Sequence, residues 1–122
     1  MAHKVLIVDD NPTMRRMLRS LLEPETKYEI CGEAENGEIA ISKVQQLHPH
    51  VVILDLQMPV MDGLAAARYI STLAPQTTML MLTMHASEQL RKTALAAGIK
   101  AVLSKTESVE QHLIAALREV CS

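Results

Sequence analysis

Apolar residues follow two rhythms along this chain. Short unbroken aliphatic runs, Lys4 to Val8 (KVLIV), Val51 to Leu54 (VVIL), Thr78 to Leu82 (TMLML) and Ala101 to Leu103, alternate with longer stretches where apolar residues return every three or four positions. Runs without polar alternation predict parallel strands covered on both faces. Tyr28 to Ala34 (YEICGEA) does alternate and predicts an edge strand. The periodic stretches predict five helices: one with Met14, Met17, Leu18, Leu21 and Leu22 at helical spacing, one with Ala40, Val44 and Leu47 on its inner face, one from Leu64 to Leu73, one from about Ser87 to Ala97, and a last one that buries Val109, Leu113, Ala116, Leu117 and Val120. Asn11-Pro12 and Asn36-Gly37 are helix-entry signals, Pro49 and Pro75 follow helix ends, and Gly98 closes the fourth helix. Arg15, Arg16 and Arg19 fall on the expected wet face of the first helix. Five strands alternating strictly with five helices predict a doubly wound parallel α/β fold in one domain, residues 1–122. Alternation leaves the strand order open.

The chemistry gathers where strands end. VVIL runs into Asp55, and the following loop, LQMPVMDG, holds Pro59 to fix one φ angle, Asp62 to cap the next helix and Gly63 to allow unusual backbone geometry. In open α/β sheets the carboxyl ends of the strands border the ligand crevice. Four of the five strand ends carry reactive groups: Asp9 and Asp10, then Asp55, then Thr83, then Lys105. Taken singly, Asp55 or Asp10 is a helix cap, Thr83 a backbone partner and Lys105 a surface lysine. Together on one rim, three carboxylates repel one another and call for a hard cation, for which magnesium, with its preference for oxygen ligands, is suited. A hydroxyl and an ammonium beside them suit a phosphoryl group carried on Asp55.

Composition narrows the partners. A formal charge of −2 with scattered Lys and Arg gives no basic footprint for nucleic acid, and two Tyr with no Trp or Phe leave little for bases to stack on. The start, MAHKVLIVDD, is too short in apolar residues for a signal peptide or membrane span, which predicts a cytoplasmic protein. Cys31 and Cys121 fit neither a zinc pattern nor a disulfide framework and are read as reduced.

In order and spacing, the acidic pair after the first strand, DLQMPVMDG after the third, LTMH after the fourth and Lys105 after the fifth resemble the receiver domain of a two-component response regulator, over essentially the whole chain. The resemblance implies a flavodoxin-like, CheY-like (βα)5 fold with sheet order 2-1-3-4-5. It implies Asp55 as phosphoacceptor, magnesium held by Asp9, Asp10, Asp55 and the backbone carbonyl of Gln57, and Thr83 and Lys105 on the phosphoryl group. Its donor would be a sensor histidine kinase or phosphotransfer protein. The resemblance also places Gln57 and His85 at the two positions that in this family tune phosphoryl lifetime. Movement of Thr83 and the loop from Met84 to Ser87 would alter the face of the fourth helix, fifth strand and last helix, where a homodimer or an output domain binds. KVLIVDDNPTMRRMLRSLL, GEAENGEIAI and LTMH are most similar to receivers of the LuxR/NarL type, joined to a helix-turn-helix DNA-binding domain.

Two positions depart from the family. Val102 stands where Tyr or Phe is usual, removing the aromatic switch, and Thr106 stands where Pro is common, which predicts a trans Lys105-Thr106 bond. The sequence reaches Ser122 without an output domain, as expected of a stand-alone receiver or an excised fragment. The enzyme alternative is a magnesium-dependent aspartyl-phosphate phosphatase. Its general acid two residues after the nucleophile is here Gln57, so a switch that assists only its own phosphorylation is expected. A flavodoxin-like nucleotide binder lacks support, since no Gly-rich loop follows Val8.

Overall fold

In the computed structural model, which describes residues 2–121, the chain runs β1 (His3–Val8), α1 (Pro12–Leu22), β2 (Tyr28–Ala34), α2 (Gly37–Leu47), β3 (Val51–Leu54), α3 (Gly63–Leu73), β4 (Thr78–Thr83), α4 (Glu88–Ala96), β5 (Ala101–Ser104) and α5 (Val109–Val120). The strands form one parallel sheet in the order β2-β1-β3-β4-β5. Both the expected fold class and the expected order hold, and β2 lies at an edge.

Side chains alternate across the sheet, and each face meets its own helices. Val5, Ile7, Val51, Ile53, Leu80 and Leu82 pack with Leu18 and Leu22 of α1 and Leu113 and Leu117 of α5. Leu6, Val8, Val52, Leu54, Met79 and Met81 pack with Ala40 and Val44 of α2, Ala66 and Ile70 of α3 and Ala94 of α4. Coverage on both faces is why the strands read as unbroken apolar runs. Asn11, Asn36, Asp62 and Ser87 cap α1 to α4 through side-chain oxygens. Gly98 follows α4 at φ 96°, a left-handed position suited to glycine.

The wet face expected for α1 is only partly wet. Arg16 is exposed, and Met17, one of the apolar residues at helical spacing, is 37% exposed. Arg15 and Arg19 instead turn toward β2 and hold Glu33, at 2.9 Å and 2.7 Å. The helical repeat places all three arginines off the core, but it does not reveal that an acid on the edge strand waits beside two of them. Burial opposes ionisation of Glu33, yet the hydrogen bonds from Arg19 and Arg15 outweigh it and hold the carboxyl below its usual range. A depressed carboxyl contributes stability that is present above its unfolded pKa, about 4.3, and lost as pH falls through the folded value. Because Glu33 is 30% exposed, screening limits the effect, and Glu33→Gln should cost about 1 kcal/mol at neutral pH. Urea unfolding should show the gap close on acidification; a gap of unchanged size in acid would make it a packing effect.

Candidate functional site

Backbone hydrogen bonds carry the ladder one residue past the strand ends and thereby place the site. The N–H of Asp9 donates to Ala34 O at 3.0 Å, that of Asp55 to Val8 O at 2.9 Å, and that of Lys105 to Thr83 O at 2.8 Å. Asp9, Asp55, Thr83 and Lys105 therefore meet on one rim, as their positions at the carboxyl ends of β1, β3, β4 and β5 predict.

Ligand oxygens from Asp9, Asp10 and Asp55 all lie within 4.8 Å of one another. Their surroundings differ. Asp9 is 2% and Asp55 8% exposed, whereas Asp10 is open to solvent and its carboxylate has no partner among the described residues. The Lys105 ammonium sits 2.7 Å from Asp9 Oδ2 and 3.2 Å from Asp55 Oδ1. The other oxygen of Asp9, Oδ1, accepts the Asn11 N–H at 2.9 Å, whereas in Asp55 the oxygen that faces Lys105, Oδ1, also accepts the Leu56 N–H at 2.8 Å.

Burial, and then the charge of Asp9, push the Asp55 carboxyl above its usual range, against the opposing effect of Lys105. Burial works against the charge on Lys105, but its hydrogen bond and attraction to Asp9, followed by Asp55, raise its pKa and keep it an ammonium. One ammonium faces three carboxylates. Clustered hard oxygen donors with an excess of negative charge fit a magnesium ion.

Asp55, Gln57, Thr83, Met84, His85 and Lys105 line a hollow of about 110 Å³, room for a few water-sized groups. Thr83 is 3% exposed, its oxygen accepts the His85 N–H at 3.3 Å, and its hydroxyl hydrogen has no acceptor among the described residues. Gln57, Met84 and His85 are exposed at its mouth. Val102 is not in the hollow. It is 8% exposed on the α4 side of β5, opposite Met81. The Lys105-Thr106 bond is trans, as are all peptide bonds of the described residues.

The loop after Asp55 departs from expectation at one residue. Asp62 does cap α3, its carboxylate accepting the Ala65 N–H at 2.8 Å. Gly63, however, has no positive φ. It is needed because a Cβ there would lie 2.1 Å from the Asp55 carbonyl oxygen, while its own N–H donates to Leu56 O at 2.7 Å. The positive φ belongs to Val60, at 70°, where Met61 N–H reaches back to Pro59 O at 2.7 Å in a tight turn.

Arg15 also belongs to the surroundings of the site, which the helical pattern did not suggest. Its Nη1 donates to the main-chain oxygen of Asp9 at 2.7 Å while Nε holds Glu33. The available signal was its place one turn into a helix that begins right after the acidic pair.

Comparison with known proteins agrees with this arrangement. The family model described as response regulator receiver domain matches residues 5–118. A transcriptional regulatory protein of Bacillus subtilis, YdfI, is 38% identical over 108 residues, 88% of this chain and 50% of the relative. A protein-glutamate methylesterase/protein-glutamine glutaminase of Caldanaerobacter subterraneus is 49% identical over 72 residues, 59% of this chain and 20% of the relative. The chain thus spans half or less of these relatives. The response regulator domain of Thermotoga maritima CheB superposes with a TM-score of 0.93 at 25% identity, covering 98% of this chain and 96% of that one. By strand order, by the acidic rim and by a match across nearly its whole length, the chain belongs to the response regulator receiver domain family.

Proposed function

We propose that this chain, a single domain over residues 1–122, is a phosphorylation switch in which Asp55 accepts a phosphoryl group from the phosphohistidine of a sensor kinase or phosphotransfer protein. The observation that carries this reading is the sharing of one hollow by the Asp55 carboxylate, the Thr83 hydroxyl and the Lys105 ammonium beside the Asp9–Asp10 pair. An Asp55 oxygen attacks phosphorus, the phosphorus–nitrogen bond breaks, and the donor imidazole leaves with the electron pair. Asp9, Asp10, Asp55 and the main-chain carbonyl of Gln57 would hold a magnesium ion, which would supply positive charge to the phosphoryl oxygens. Lys105 needs only to turn from the carboxylates to the new phosphoryl oxygens, and Thr83 has a hydroxyl hydrogen to donate to another. Gln57 and His85, at the mouth, flank the route of the hydrolytic water and set the phosphoryl lifetime.

Output follows from the movement of Thr83 and the loop from Met84 to Ser87, which joins β4 to α4. Val102 is β-branched, with few rotamers, so the backbone of this loop and α4 carries the change to the α4, β5 and α5 face. A homodimer or an output domain binds there. The relatives include both a transcriptional regulator and methylesterases; the LuxR/NarL-like phrases favour transcription through a DNA-binding domain. The chain itself turns over no metabolite, makes no direct contact with nucleic acid and acts in the cytoplasm. Among the described residues no helix is long and apolar enough to cross a membrane.

Intact mass after incubation with acetyl phosphate and magnesium should show one added phosphoryl group, dependent on the ion. No added mass would overturn the acceptor reading. Steady release of phosphate from small phosphoesters would favour the phosphatase instead.

A further inference from the structure

The acidic pair is held from outside the site. Asp10 contributes a carboxylate with no side-chain partner among the described residues, so its position depends on its backbone alone. That backbone is fastened on both sides. The carbonyl of the Asp9–Asp10 peptide accepts from Arg15 Nη1 at 2.7 Å, and the next N–H, that of Asn11, donates to Asp9 Oδ1 at 2.9 Å.

Arg15 is itself oriented. Its Nε donates to Glu33 Oε1 at 2.9 Å, Arg19 holds the other Glu33 oxygen at 2.7 Å, and Lys43 donates to the Glu33 main-chain oxygen. Helical side chains lean toward the N-terminus of their helix, which sends Arg15 back over the turn that α1 leaves. The planar guanidinium can address a carboxylate and a carbonyl at once, which a lysine ammonium on a flexible stem does less well.

We infer that Arg15 is a positioning residue for the cation site: bridging Glu33 of β2 to the Asp9–Asp10 peptide, it sets the Asp10 carboxylate where it can share a magnesium ion with Asp9 and Asp55. This rests on the proposed magnesium site. Coulomb's law alone gives the opposite sign, since removing a cation near the carboxylates should tighten binding of another cation. Outer partners that orient metal ligands typically change affinity by tenfold or more when removed.

Magnesium chloride titrated into the whole chain by calorimetry decides the matter. Arg15→Ala should weaken binding about tenfold, and Arg15→Lys, which keeps the charge, should restore only part of the loss. Arg19→Ala is the control, because it also breaks an ion pair with Glu33 but does not touch Asp9. It should lower melting temperature in chelator much as Arg15→Ala does and leave magnesium affinity near wild type. Unchanged or tighter binding by Arg15→Ala, or equal weakening by Arg19→Ala, overturns the inference. If Arg15→Ala does not fold, full wild-type affinity in Arg15→Lys overturns it as well. A wild-type chain that binds no magnesium, or one whose binding survives Asp10→Asn, would remove the site itself, whereas normal wild-type binding with an indifferent Arg15 removes the clamp alone.

Discussion

Replacing Asp55 by asparagine is expected to abolish phosphoryl uptake while making the metal-free protein more stable at neutral pH. The first effect follows from chemistry: an amide oxygen does not form the acyl phosphate, and no other carboxylate shares the hollow with Thr83 and Lys105. The second follows from linkage. Asp55 is raised by burial and by Asp9, so the native state holds its proton more tightly than the unfolded chain does. Stability associated with this group therefore falls as pH rises from the unfolded carboxyl pKa, about 3.9, through the folded one, and the loss is complete above it. Asparagine keeps the size and an oxygen for the Leu56 N–H. Lys105 loses its 3.2 Å contact but keeps the 2.7 Å bond to Asp9. Removing the charge should win by about 1 kcal/mol, the lower end of the cost of a poorly satisfied buried polar group. Intact mass with acetyl phosphate and urea unfolding in chelator read the two effects separately. Full labelling of Asp55→Asn would end the assignment of the acceptor. A less stable variant would mean that the Lys105 contact outweighs the cost of burial.

Gly63→Ala should be among the most damaging single-methyl changes in the chain. The added Cβ would meet the Asp55 carbonyl oxygen at 2.1 Å, the Asp55 carbonyl carbon at 3.0 Å and Leu56 Cα at 3.2 Å. All three are main-chain atoms, so no side chain can rotate away. Relief requires moving either the end of β3, which is buried between β1 and β4, or the start of α3, whose Gly63 N–H donates to Leu56 O at 2.7 Å. A loss of about 3 kcal/mol is expected, at the upper end of overpacking costs. Because the displaced atoms carry the acceptor, labelling of whatever remains folded should fall too. Denaturant unfolding within about 1 kcal/mol of wild type would show that the loop from Leu56 to Asp62 yields more readily than its contacts imply.

These two results test residues of very different legibility. Asp55 stood out because an aliphatic run breaks into an acid at a strand's end, a pattern that requires only local reading. Gly63 was singled out for a related but incorrect reason. A glycine after a turn suggests unusual backbone geometry, and nothing in its neighbours reveals that its space is taken by a carbonyl eight residues earlier in the chain.

The sequence by itself determined the element order, the parallel doubly wound class and the strand-end positions of Asp9, Asp10, Asp55, Thr83 and Lys105, since hydrophobic period and capping residues are local properties that survive in one dimension. Strand order needed the family resemblance, and the sheet bears it out. Only the tertiary structure decided how the rim residues share their charges: Lys105 bonded to Asp9 and near Asp55, Asp10 without a side-chain partner, and Arg15 and Arg19 on Glu33 rather than in water. Those pairings join residues far apart in the chain through the packing of α1 on β2 and of β5 beyond β4. Charge pairing depends on distance in space and on burial, neither of which the spacing of residues along a strand or helix contains.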